Sequence, residues 1–116
     1  MENAVILHNP RCSKSRATLE LLRSRGLDPD IVLYREAPPS AAQLERILSL
    51  LGLEPRQLMR RGEAEYAALN LDNPALSRPQ LIAAMVEHPI LIERPIVLAN
   101  GKAAIGRPPE AVLDIL

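Results

Sequence analysis

The sequence predicts an α/β fold with a four-stranded mixed sheet, because strand patterns flank a helical middle section. A short apolar strand is predicted over residues 4–8, an amphipathic helix follows, and a second apolar strand covers residues 31–34. This strand–helix–strand order predicts a parallel pair with a right-handed crossover. Near the carboxyl end, strands over 96–99 and 103–106 flank Asn100-Gly101, which favours the tight turn of an antiparallel hairpin.

The helices are bounded by local capping and stop signals. Capping boxes at residues 40–43 and 77–80 predict helix starts, and Gly26 and Gly52 suit the position after a helix end. Proline is tolerated at a helix start but interrupts a helix interior. The predicted helices span about residues 13–25, 41–51, 55–60, 64–69, 78–88 and 109–115.

The order of elements is β-α-β, a helical insertion at about residues 40–88, and β-β-α, within one domain of residues 1–116. This is the order of the thioredoxin/glutaredoxin-like fold with helices inserted between its two halves. In that fold a reactive cysteine begins the first helix, which is where Cys12 falls, and a proline precedes the third strand. Pro95 occupies this place, so we expect Arg94–Pro95 to be cis, a state found in only about 5–6% of X-Pro bonds.

Composition excludes several classes of function. The 14 basic and 14 acidic residues give no net charge to attract nucleic acid, and two tyrosines are the only aromatic residues available to stack on bases. One cysteine excludes an intrachain disulfide and fits a reducing compartment. The first residues lack a signal-peptide pattern, and no apolar run approaches membrane-spanning length. We therefore expect a soluble cytoplasmic protein.

Cys12 is the candidate nucleophile. It lies where the first helix begins, so free backbone N–H groups and the positive end of the helix dipole favour an anion there. Arg11, Lys14 and Arg16 add positive charge to the same turn. Such surroundings lower a cysteine pKa from about 8.5 to roughly 3.5–7.5. The alternative is a small buried apolar side chain, but the polar, proline-containing turn favours the nucleophile.

The chain resembles the glutaredoxin-dependent arsenate reductases over essentially its whole length. The resemblance depends on several short stretches whose joint pattern is specific. They are His8-Asn9-Pro10 with Cys12-x-x-Ser15-Arg16 and Thr18-Leu19-Glu20, then Leu58-Met59-Arg60, His88-Pro89-Ile90-Leu91-Ile92-x-Arg94-Pro95-Ile96-Val97, Gly106-Arg107-Pro108 and Val112-Leu113-Asp114-Ile115-Leu116.

The resemblance implies a mechanism in which the Cys12 thiolate forms an adduct with arsenate. Arg60, Arg94 and Arg107 match the arginines that hold the oxyanion in this family, and His8 and Ser15 match supporting residues. Glutathione then attacks as a co-substrate, glutaredoxin supplies a second thiol, and arsenite leaves. No bound cofactor or metal is implied.

The residues alone agree with an external reductant and leave other points open. A two-electron reduction through cysteine needs a second thiol, and this chain has none besides Cys12. Protonated His8 could stabilise the thiolate, or His8 could be a packed neutral histidine. The Ser15 hydroxyl could contact the sulfur or satisfy a backbone N–H, with Ser13 a rival for that N–H. The arginines could also be ordinary solvated surface charges.

Two other classes of function compete with the reductase. Related thioredoxin-fold proteins are redox-responsive regulators that contact RNA polymerase, usually through a C-x-x-C disulfide switch. Position 15 is serine here, so that switch cannot close. A glutaredoxin-like thiol transferase that uses Cys12 alone is the third possibility.

Overall fold

A four-stranded mixed sheet organises the two ends of the chain in the computed structural model, which describes residues 4–116. The strands are β1 (Val5–Leu7), β2 (Asp30–Val32), β3 (Ile96–Ala99) and β4 (Lys102–Ile105), in the order β2-β1-β3-β4. β1 is parallel to β2 and antiparallel to β3, and β3 is antiparallel to β4. The predicted thioredoxin-like α/β fold with a four-stranded mixed sheet is confirmed.

Contacts within the chain divide it into two compact units. The first contains residues 4–37 and 94–116, and the second contains residues 38–93. The expectation of a single domain with an insertion at about residues 40–88 stays a prediction. The expectation that the first residues form no signal peptide concerns residues 1–3 as well, and these lie outside the described residues.

In the first unit, helix α1 (Ser13–Ser24) and a 3₁₀ helix (Pro109–Ile115) pack against each other beside the sheet. Aliphatic side chains from both helices, from β1 and the residue before it, and from β3 form the core: Ala4, Ile6, Leu19, Leu22, Val97, Ala99, Val112 and Ile115. Burying one such side chain contributes roughly 1.5–3 kcal/mol to folding. This core fixes the start of α1 relative to the sheet.

The second unit consists of helices and an isolated antiparallel β-bridge between Met59 and Ile92. It holds α2 (Ala41–Leu51), α3 (Pro55–Leu58), α4 (Ala64–Ala68), α5 (Arg78–Glu87) and a 3₁₀ helix (Pro89–Leu91). Both predicted capping boxes form, with Ser40 and Ser77 accepting from the backbone N–H of Gln43 and Gln80. Helices α2 and α3 pack against α5.

Several boundaries differ from the sequence-based expectation by one or two residues. β2 begins at Asp30, because the Asp30 N–H donates to the carbonyl of Ala4, the residue before β1. It ends at Val32. The last helix is 3₁₀ over its whole length. Within residues 4–116, every helix is too short or too polar to cross a bilayer.

Candidate active site

Cys12 lies at the N-cap of α1, on the turn that leaves β1. Its own N–H donates to the Asn9 carbonyl at 3.0 Å, and its carbonyl accepts the Arg16 N–H at 3.0 Å, the first hydrogen bond of the helix. The thiol is half-buried. Its sulfur therefore faces backbone N–H groups of the first helical turn, which have no carbonyl partner inside the helix.

The pKa of the Cys12 thiol is lowered by the groups that surround the sulfur. Burial alone raises this pKa, but the backbone N–H of Ser15, the side chain of Arg94 and the backbone N–H of Lys14 outweigh burial. Each of these groups donates to the thiolate and stabilises it relative to the thiol. The expected direction is thus found, although the cation is Arg94, not the sequence neighbours of Cys12.

The basic side chains next to Cys12 in sequence have other surroundings. Arg16 donates through Nη1 to the carbonyl of Pro10 at 2.8 Å, and Lys14 acts on the sulfur through its backbone. Arg11 is exposed. Residues adjacent in sequence at a helix start point in different directions, so closeness in sequence was a poor guide to closeness to sulfur.

Arg107 and Arg94 reach the sulfur from the far end of the chain. Arg107 Nη2 lies 3.5 Å from Cys12 Sγ, and Arg107 Nε donates to the Arg94 carbonyl at 2.7 Å. Sheet register explains the placement, since Leu7 pairs with Ile96 and Ile96 pairs with Ile105. The end of β1, the start of β3 and the end of β4 therefore lie side by side.

The peptide bonds that follow these two arginines are both cis. The prediction for Arg94–Pro95 is confirmed, whereas the second cis bond, Arg107–Pro108, was not predicted. The sequence signal was present, because an X-Pro bond is the setting in which cis peptides occur. Only the position of Pro95 before β3 distinguished it from the other prolines.

Gly106 allows close packing beside this pair. A Cβ at this position would collide with the Thr18 Oγ1 of α1 and would lie 2.8 Å from the Pro95 Cγ. The Gly106 N–H also donates to the Pro95 carbonyl at 2.9 Å. Gly106 thus brings the segment before Arg107 against both the cysteine-bearing helix and the proline after Arg94.

We expect Gly106→Ala to destabilise the protein by about 1–3 kcal/mol, because an added methyl group overfills this contact. Denaturant unfolding measures the change, and the same variant should show a higher Cys12 pKa. Gly62→Ala is the matched control, since a Cβ there meets nothing within 4 Å. Equal stability of the two variants would contradict the packing argument.

His8 and Ser15 form a buried pair behind the Cys12 turn. His8 Nδ1 lies 2.6 Å from Ser15 Oγ, and Ser15 Oγ accepts the Asn9 N–H at 3.0 Å. Burial lowers the pKa of His8, and the positive charges of Arg23 and Arg16 lower it further. The lowered pKa favours the neutral imidazole, which is the second of the two alternatives that the sequence left open for His8.

The Ser15 contacts separate the two roles considered for this residue. Its hydroxyl bonds to His8 and Asn9, whereas its backbone N–H donates to the Cys12 sulfur. The hydroxyl thus satisfies a backbone N–H and fixes the turn that carries Cys12. His8 contacts this turn through the same hydroxyl, and a supporting role for both residues toward the sulfur stays a prediction.

Arg60 belongs to the second unit and is held by two carboxylates there. Its Nε bonds to Glu63 Oε1 at 3.1 Å and its Nη1 to Glu93 Oε1 at 2.9 Å. Two backbone bonds join the segments that carry Arg60 and Glu93: Arg60 N–H to the Leu91 carbonyl at 2.7 Å and Glu93 N–H to the Leu58 carbonyl at 2.8 Å. That Arg60 binds the same oxyanion as Arg94 and Arg107 stays a prediction.

We expect the thiolate of Cys12 to form well below the pH at which an ordinary thiol ionises. Alkylation by iodoacetamide, followed against pH, should give an apparent pKa below about 8.5, the unperturbed value. Reactivity then persists to a lower pH than that of an ordinary thiol, and it is lost as the pH falls through the lowered pKa. An apparent pKa at or above about 8.5 contradicts the hydrogen-bonding argument.

The family resemblance implies neither a bound metal nor a bound cofactor, so we consider what kind of ligand the residues around Cys12 could bind. Among residues 4–116, no three side chains of the histidine, cysteine, aspartate or glutamate type gather as metal ligands. The Cys12 turn instead offers donors: backbone N–H groups and guanidinium groups. A donor set of this kind suits an oxyanion that accepts hydrogen bonds.

The sheet topology and the cysteine at the start of α1 define a thioredoxin-like protein whose single cysteine lies at a helix start. The ArsC family model matches residues 7–115, so this chain belongs to the ArsC family.

Several relatives and solved structures are similar over nearly the whole chain. YfgD of Escherichia coli (strain K12), an uncharacterised protein, is 57% identical over 112 residues, 96% of this chain and 94% of the relative. An arsenate reductase of Neisseria meningitidis serogroup B is 50% identical over 117 residues, covering 100% of both chains. The structure of an arsenate reductase from Vibrio cholerae has a TM-score of 0.96 at 54% identity, covering 98% of each chain.

Proposed function

We propose that this protein is an arsenate reductase that forms a thiol–arsenate adduct on Cys12, which glutathione and glutaredoxin resolve. The observation that supports this proposal is the set of donors around the Cys12 sulfur, which accepts hydrogen bonds from Arg94, Arg107 and the first turn of α1. These donors favour the thiolate and would also suit the oxygens of a bound oxyanion. We choose arsenate as the oxyanion because relatives similar to this chain are named arsenate reductases.

In the first step, the Cys12 thiolate attacks arsenic and a sulfur–arsenic bond forms. One arsenate oxygen leaves as water after taking up protons, and arsenic stays in its pentavalent state. Arg94 and Arg107 hold the remaining negative oxygens, as charge-assisted hydrogen bonds do most effectively. In this proposal Arg60 is the third oxyanion ligand.

In the second step, the two electrons come from two thiols. The glutathione thiolate attacks the Cys12 sulfur, and a mixed disulfide forms between Cys12 and glutathione. The sulfur–arsenic bond breaks with its electron pair going to arsenic, which leaves as trivalent arsenite. A glutaredoxin thiol then attacks the mixed disulfide and returns Cys12 to its thiolate. External thiols are needed because the chain has one cysteine, and a reducing cytoplasm would supply them.

The test is an assay of arsenate-dependent NADPH oxidation with glutathione, glutathione reductase and glutaredoxin present. We expect oxidation that requires arsenate, glutathione and this protein together. Omitting glutaredoxin should slow turnover and leave a glutathione adduct of Cys12 visible by mass spectrometry. Oxidation that proceeds equally without arsenate, on a mixed-disulfide substrate, would instead indicate a thiol transferase.

A further inference from the structure

An open pocket of about 400 Å³ lies beside the Cys12 turn, within the first unit. Its walls come from the segments that follow β1 and β2, and they include Arg11, Leu33, Arg35 and Glu36. Because β1 and β2 are parallel, with the N–H of His8 bonded to the Val32 carbonyl at 2.8 Å, both segments leave the sheet at one edge. Crevices outside the carboxyl ends of parallel strands are common ligand sites in α/β proteins.

The charged side chains that line this pocket form no ion pairs with the other side chains that the structure describes. Among residues 4–116, no side chain forms an ion pair with the guanidinium of Arg11 or Arg35, or with the carboxylate of Glu36. Leu33 adds an apolar wall and is 37% exposed. The pocket thus presents two positive groups, one negative group and an apolar surface.

This pattern fits a small peptide with two carboxylates and one ammonium group. Guanidinium groups bind carboxylates through paired hydrogen bonds, and a carboxylate binds an ammonium. Such a ligand carries one net negative charge, which complements the one net positive charge of the wall. Glutathione has this set of charged groups and a central thiol.

We propose that this pocket binds the small peptide thiol that resolves the Cys12 adduct, with its carboxylates on Arg11 and Arg35 and its ammonium on Glu36. The inference rests on the proposed function for the identity of the reacting thiol. His8, Asn9, Pro10 and Arg11 line the pocket, so its wall is the segment that leads directly into Cys12. Binding in this pocket would raise the local concentration of the thiol before it attacks.

Arg35 gives the sharper test because it is 23 positions away from Cys12 in the sequence and takes no part in the contacts around the sulfur. The probe is S-methylglutathione, which keeps both carboxylates and the ammonium but has no free thiol to react. Its binding to the full chain is measured by NMR titration. Arg25→Gln is the matched control, an exposed arginine just after α1.

We expect Arg35→Gln to raise the Kd for S-methylglutathione by about three- to tenfold, and Arg25→Gln to leave it unchanged. The amide signals of Asn9, Arg11 and Leu33 should shift on titration of the wild-type protein. Glu36→Gln should weaken S-methylglutathione but not its N-acetylated form, which lacks the ammonium. During arsenate turnover, Arg35→Gln should raise the KM for glutathione and leave the KM for arsenate unchanged.

Three results would overturn the inference: no binding of the probe to the wild-type protein, equal affinity of the Arg35 and Arg25 variants, or shifts confined to another surface. An Arg35→Gln variant that raised only the KM for glutaredoxin would make the pocket a protein-docking surface instead. Failure of the proposed function is a separate result. Absence of arsenate turnover together with probe binding through Arg35 would remove the reductase and retain the pocket.

Discussion

Cys12→Ser is expected to abolish arsenate reduction and leave the fold intact. A hydroxyl is close to a thiol in size, so the half-buried site at the start of α1 keeps its packing. The serine hydroxyl does not ionise near neutral pH and forms neither a stable adduct with arsenic nor a mixed disulfide. The assay of arsenate-dependent NADPH oxidation should therefore fall to the rate measured without enzyme.

Ser13→Ala is a useful control for this variant, since Ser13 is the next residue and is exposed. It changes a hydroxyl at the same helix start without touching the nucleophile, and it should keep most of the turnover. Circular dichroism and denaturant unfolding show whether Cys12→Ser is folded. Substantial turnover by a folded Cys12→Ser protein would mean that Cys12 is not the nucleophile.

The fold was predictable wherever the signal is local. Asn100-Gly101 forms the predicted hairpin turn, with φ near +54° at Asn100 and +72° at Gly101, and Gly52 takes the left-handed conformation after α2. Strand ends were less predictable because a strand extends as far as its neighbour supplies partners. Asp30 joins β2 through its bond to Ala4, although nothing in its own side chain favours a strand.

The candidate active site was only partly predictable, because some of its features are local in sequence and others depend on tertiary contacts. The position of Cys12 at a helix start could be read from the pattern of the first 25 residues, and so could the direction of its pKa shift. Arg107 lies 95 positions from Cys12, so only the family resemblance selected it. The protonation state of His8 depends on burial and on the charges of Arg23 and Arg16, which no sequence pattern states.

Arg94→Ala is expected to lower kcat/KM for arsenate by about one to two orders of magnitude. Arg94 donates to the Cys12 sulfur and lowers its pKa, so its loss removes thiolate at neutral pH. In the proposed mechanism it also removes a donor to the oxyanion. A hydrogen bond to a charged group contributes roughly 1.5–3 kcal/mol, which corresponds to the loss expected here.

The pH dependence separates these two effects of Arg94. If Arg94 acts through the thiolate alone, the alanine variant should regain the wild-type rate at a pH above its raised Cys12 pKa. If it also binds the oxyanion, the rate stays low at every pH and the KM for arsenate stays high. We expect the second outcome, with Arg94→Lys recovering only part of the activity because an ammonium does not bind two oxygens in one plane.

Arg25→Ala is the control for Arg94→Ala, as an exposed arginine that follows α1 at its far end. It should leave both kcat/KM and the Cys12 pKa unchanged. The two variants carry the same change in net charge, so any difference between them comes from position and not from the overall field. Equal activity of the two alanine variants would show that the contact between Arg94 and the sulfur has no part in turnover, and the oxyanion site would then have to be sought away from β3.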